Sequence, residues 1–275
     1  MSWINSTALQ ELGVDASRAE EISPFVTLFA VPGDGASELW NRLKDRAFEI
    51  GGWPVIVGDA EKVKKLKRQL LKYPPPAEVI SAAPNASAPI AVRSRARELA
   101  QKKLEFLRQL NAPQIIIENA ERMARQPDEQ GRSSISTFES WPHESPVKPF
   151  LLASALELLS RRPLQECFLA IVKTQVPAEA PAYLAFGGWN ACPDASVHVA
   201  VLRDWQRRYG AVPAAITFDV IELYLPHPIT DRKEALRIAD EQHEYCSDLI
   251  YQWVGSIEAL AQKIWGSPLW YFWWD

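Results

Sequence analysis

An α+β fold follows from three features of the 275-residue sequence. In the N-terminal quarter, short apolar runs such as "FVTLFAVPG" and "WPVIVGD" alternate with amphipathic stretches, which gives a β-α-β-α order. After residue 165 a second series reads β-α-β-β-α-(α)-β, the order of a ferredoxin-like sheet with split βαβ units. Between the two lies a stretch rich in proline, small residues and helix formers that fits neither pattern. The expected organisation is an N-terminal α/β unit over residues 1–74, a linker and helical insert over 75–148, and a C-terminal ferredoxin-like domain over 149–275.

In the first unit, "ASELWNRLKDRAFEIGG" places Leu39, Trp40, Leu43, Ala47 and Phe48 on one side of a helix that Gly51 and Gly52 stop. "WPVIVGD" is a short strand buried on both faces, and Asp59 caps a helix beginning at Ala60. "YPPPAEVISAAPNASAPIAV" reads as a linker; helices are expected at about 94–110 and 113–125, before an irregular stretch, "QPDEQGRSSISTFESWPHESPVKP".

In the C-terminal region, "ECFLAIVKT" is a strand followed by the long loop "QVPAEAPAYLAFGGWNACP". "DASVHVAVLRDWQRRYG" is a helix with Asp194 or Ser196 as cap and Gly210 as stop. "AVPAAITFDVIELYLP" splits into two strands with a turn near Phe218 and Asp219, Asp231 and Glu234 stand in capping-box spacing, and a short helix runs from Ser256 to Gly266. The final "LWYFWWD" is apolar on both faces, whereas a half-exposed strand alternates. As an uncovered edge it would be a large apolar patch, so either the N-terminal unit or a second chain must cover it.

Composition bounds the function. A 47% hydrophobic and 23% charged chain is ordinary for a globular protein. The N-terminus lacks a basic start followed by an apolar core, and no run of about 18 apolar residues occurs, so a cytoplasmic protein without membrane association is expected. Three cysteines, Cys167, Cys192 and Cys246, fit reduced thiols better than a disulfide framework. From Lys62 to Arg108 there are twelve Lys/Arg against three Glu, and from Ala211 to Asp275 four Lys/Arg against ten Asp/Glu. No aromatic or glycine-rich nucleic-acid motif accompanies the basic part, so solvated helix faces are expected there and no specific nucleic-acid binding.

The segments "PAYLAFGGWNACP", "LRDWQRRYGA", "FDVIELYLP", "EQHEYCSD" and "LWYFWWD" resemble a bacterial domain-of-unknown-function family, number 4253, over about residues 167–275. "VPGDGASELWNRLKDRAFEIGGWPVIVGD" resembles the upstream part of such proteins more loosely. The resemblance implies a self-contained domain and no established activity.

Dinucleotide, P-loop, HExxH, GxSxG and CxxC signatures are absent. What remains is Cys192-x5-His198 and His243-x2-Cys246, which the expected topology brings to one end of the domain. Three readings stand. The four are buried structural residues; they are zinc ligands; or Cys192 is a nucleophile with His198 as base, its thiol acidified by the helix N-terminus. The loop "FGGWNACP" offers Gly187 and Gly188 for close approach, Trp189 as an apolar wall and Asn190 for hydrogen bonds. A binding site lined by these residues with Gln242 and Asp248 is expected where this loop meets the end of "EQHEYC". The function expected is a non-catalytic protein-binding or regulatory role, a toxin-immunity protein being one concrete form, with no cofactor. The alternative is a thiol- or metal-dependent enzyme using Cys192 and His198 with Cys246.

Overall fold

The computed structural model describes residues 3–110, 114, 117, 118, 141 and 148–275. Its strands are β1 (Glu20–Ser23), β2 (Val26–Val31), β3 (Trp53–Gly58), β4 (Cys167–Val172), β5 (Val212–Ile216), β6 (Val220–Tyr224) and β7 (Leu269–Trp273). They form one mixed sheet in the order β1-β2-β4-β3-β5-β6-β7. The helices that matter below are α1 (Ser6–Glu11), α2 (Ala36–Lys44), α3 (Ala47–Ile50), α4 (Ala60–Leu70), α5 (Pro76–Ala82), α6 (Ala88–Gln109), α7 (Ala180–Tyr183), α8 (Ala195–Tyr209), α9 (Arg232–Tyr245) and α10 (Ile257–Ile264).

The α+β class holds, but the strand order corrects the ferredoxin-like expectation. β4 does not lie beside β6 or β7, as the first strand of such a sheet would; β3 separates β4 from β5, antiparallel to the first and parallel to the second. β4 and β5 therefore run in opposite directions, whereas a split βαβ unit needs the two strands joined by its helix to be parallel. The split arrangement occurs instead at β2-α2-α3-β3, whose two strands both run antiparallel to the intervening β4. Apolarity explains the placement. "WPVIVG" is buried at every position and "CFLAIV" at all but Phe168, so both need neighbours and cover on both sides, while the half-exposed β1 takes one edge.

Three local readings also change. The helix of residues 36–52 is interrupted after Lys44 and resumes as α3. The proline-rich linker contains α5 and the first turn of α6, both with proline at the first helical positions, where a missing N–H costs nothing. Of the helix expected at 113–125, residues 114, 117 and 118 are described and helical; the rest of it and most of the irregular stretch after it lie outside the described residues.

β7 is the other edge strand. Trp270, Phe272 and Trp274 are buried against α8 and α9, where Trp205 stacks on Phe272 at 5.4 Å. Leu269, Tyr271 and Trp273 are half-buried on the opposite side, with Tyr271 against Trp253. On the adjacent β6, Glu222 is fully buried and accepts the backbone N–H groups of Ala153 and Ser154 at 2.8 and 2.7 Å, fastening that segment across the same side. The covering of the terminal aromatics is thus largely intramolecular. No helix among the described residues is long and apolar enough to cross a membrane.

Candidate functional site

The loop before α8 is shaped by backbone conformations that side chains resist. Gly187 and Gly188 have φ of 100° and 86°, and a Cβ on Gly187 would collide with Pro193 O and stand 2.7 Å from His198 Nε2. Gly188 N donates to Pro193 O at 2.9 Å, Cys192 N to Trp189 O at 2.8 Å, and Tyr73 Oη to Gly187 O. Burial pushes the Tyr73 phenol up to about 12, so it remains a donor. Asp194 takes the N-cap position of α8, with its carboxylate paired to Arg95 of α6. This closed loop sets Cys192 beside the first turns of α8.

A buried polar chain results. Cys192 Sγ lies 3.5 Å from His198 Nε2, and His198 Nδ1 lies 2.5 Å from Tyr245 Oη. Cys192, His198 and Tyr245 are 5%, 0% and 2% exposed, and Phe186 and Trp274 enclose the imidazole edge-on at 4.9 and 5.3 Å. Burial drives every member toward neutrality: the Cys192 thiol and the Tyr245 phenol are pushed well up, and the imidazole is lowered to about 3. The tautomer follows from hydrogen bonding. Tyr245 O–H has no other acceptor among the described residues and donates to Nδ1, which leaves the proton on Nε2, facing Cys192 and Pro193 O. The nitrogen nearest the thiol is a donor and cannot take its proton. Acidification of Cys192 by the helix N-terminus, one of the sequence expectations, is corrected, because burial outweighs any such effect.

The other candidates divide. Cys246, 1% exposed, donates its S–H to Trp273 O at 3.0 Å and is pushed up to about 12 by burial. His243 is buried and packs edge-on against Tyr251, and Gln242 is buried on α9. Among the described residues no three His, Cys, Asp or Glu side chains are grouped to hold a metal, Cys192, His198, His243 and Cys246 included. Asn190 and Asp248 meet at the chain end: Asn190 Nδ2 donates to Asp275 O at 3.0 Å, and Asp275 N donates to Asp248 Oδ2 at 3.2 Å. Trp189 is half-buried and stacks on Phe218 at 5.1 Å, with Lys65 Nζ above that ring at 4.6 Å. Gly187 is buried and Gly188 exposed.

Sequence reasoning missed Tyr245, although the signal was present. Ile238, Gln242 and Tyr245 recur at four and three residues on α9, which places the phenol on the same buried stripe. Tyr73 carried no local signal, since its partner is Gly187, far along the chain.

Residues 168–275 match the family model of a domain of unknown function, DUF4253. No curated protein and no solved structure matches the chain.

Proposed function

We infer that the protein, whose residues 168–275 match the DUF4253 family model, is a non-catalytic binding or regulatory protein that acts through a protein partner. The observation that carries this reading is the sealed, neutral state of Cys192, His198 and Tyr245. A thiol enzyme needs an accessible thiolate with a base beside it. Here the thiol is buried and the facing nitrogen bears a proton, so the three groups serve as a hydrogen-bonded core that locks the loop of Gly187–Cys192 to α8 and α9. Trp253, 50% exposed, fits the same reading as a residue type favoured at interfaces. Neutralisation of a toxin is one form such partner binding would take.

Thiol alkylation tests this. Burial pushes the Cys246 thiol up to about 12 and the Cys192 thiol in the same direction, so at neutral pH both are protonated thiols with almost no thiolate. In the native protein at neutral pH, N-ethylmaleimide should leave Cys192 and Cys246 unmodified by mass spectrometry while the denatured chain reacts fully. A rapid single adduct on native Cys192 would favour the enzyme reading.

A further inference from the structure

α4 carries four lysines and an arginine, and most are already engaged. Lys62 pairs with Asp219 at 2.5 Å, Lys65 lies over Phe218, and Lys67 pairs with Glu20 of β1 at 2.6 Å. Lys64 and Arg68 have no ion pair among the described residues and are exposed. Both line a surface groove of about 380 Å³ together with Val63, Lys67 and Leu71, positions that recur at helical spacing on one stripe of α4. The opposite wall is the β1 side of the sheet, and Phe168 of β4 contributes an apolar floor. Leu71, at the end of the stripe, is 87% exposed.

We propose that this groove docks an acidic segment of a partner protein, one whose carboxylates meet Lys64 and Arg68 while a large apolar side chain lies against Phe168 and Leu71. The inference rests on the partner-binding reading above and gives it a location. An apolar floor with uncompensated cations along one wall complements that combination. Nucleic acid fits less well: the unpaired cations among the described lining residues number two, Glu20 stands at the rim, and the aromatic of the lining, Phe168, is half-buried in the floor.

The test is selection from a displayed library of random peptides against the full chain, followed by fluorescence anisotropy of one enriched peptide. Enriched sequences should combine acidic residues with a large apolar one. Binding should weaken at least about tenfold in Lys64→Glu/Arg68→Glu, and also as salt rises. These side chains are exposed and unpaired, so the variant should melt with the parent, and Leu71→Ser should weaken binding without altering charge. Absence of enrichment, or enrichment without acidic bias, overturns the groove assignment. Peptides that bind the charge-reversed variant as tightly as the parent overturn the groove assignment while leaving partner binding intact, and rapid alkylation of native Cys192 would count against the non-catalytic reading alone. A labelled DNA duplex that binds through Lys64 and Arg68 when no acidic peptide does would assign the groove to nucleic acid and also overturn the proposal.

Discussion

A chain ending at Leu269 is expected not to fold. The deletion removes Trp270, Phe272 and Trp274, which are 1%, 0% and 2% exposed, together with all of β7 but its first residue. Changing one buried Phe or Trp to Ala costs about 3–5 kcal/mol. Three such losses, about 9–15 kcal/mol, are comparable with the roughly 5–15 kcal/mol of total stability typical of a domain. The deletion also strips Cys246 of its acceptor at Trp273 O and uncovers His198, which Trp274 encloses. Far-UV and near-UV circular dichroism of the truncated chain should show loss of the cooperative transition. An unchanged melting temperature would mean that the strand is peripheral.

The largest single-residue effect is expected at Trp205. This side chain is fully buried, stacks on Phe272 at 5.4 Å, and meets Tyr245 and Trp270 edge-on at 5.1 and 5.4 Å. Its indole N–H donates to Glu241 at 3.1 Å, a carboxylate that Arg208 and Arg237 also hold. Trp205→Ala should therefore cost about 3–5 kcal/mol through the cavity it leaves, and Trp205→Phe clearly less. Urea unfolding monitored at equilibrium separates the two. Equal midpoints for parent and Ala variant would show that the α8–α9–β7 interface contributes little.

These two predictions rest on elements legible in the sequence, and their legibility has a physical basis. α8, with Trp205 and Tyr209 on its stripe and a Gly210 stop in the left-handed region, is specified by local periodicity and capping. The same is true of α4 with its Asp59 cap, of α9 with Asp231 accepting from Glu234 N, and of the β5–β6 turn at Phe218 and Asp219. The insertion of β3 between β4 and β5 was not legible, because strand order depends on pairings between residues more than a hundred positions apart, such as Val55 with Ala170. The apolar character of "WPVIVG" showed that β3 is buried without showing between which strands. Proline misled at Pro76 and Pro89, where it begins a helix rather than preventing one. At the candidate site, the Cys192 and His198 spacing was visible, but its chemistry depended on burial and on Tyr245, which sets the tautomer from another helix.

The central claim, that the thiol–imidazole–phenol chain is a neutral structural core, has a consequence for stability. His198 is protonated in the unfolded chain below about 6.5 but in the folded protein only near 3. Its contribution is therefore complete above 6.5 and is lost as pH falls from there toward 3, by about 1.4 kcal/mol per pH unit. The two titratable groups it touches, Cys192 and Tyr245, stay protonated throughout that range. The most direct measurement is a pH titration of the His198 imidazole nitrogens by NMR on the folded full chain. Resonances that hold the neutral, Nε2-protonated pattern from about pH 8 down to acid unfolding are predicted. A midpoint near 6.5 or above would contradict the claim, and so would a neutral form protonated at Nδ1, which would leave Nε2 free to accept the Cys192 proton.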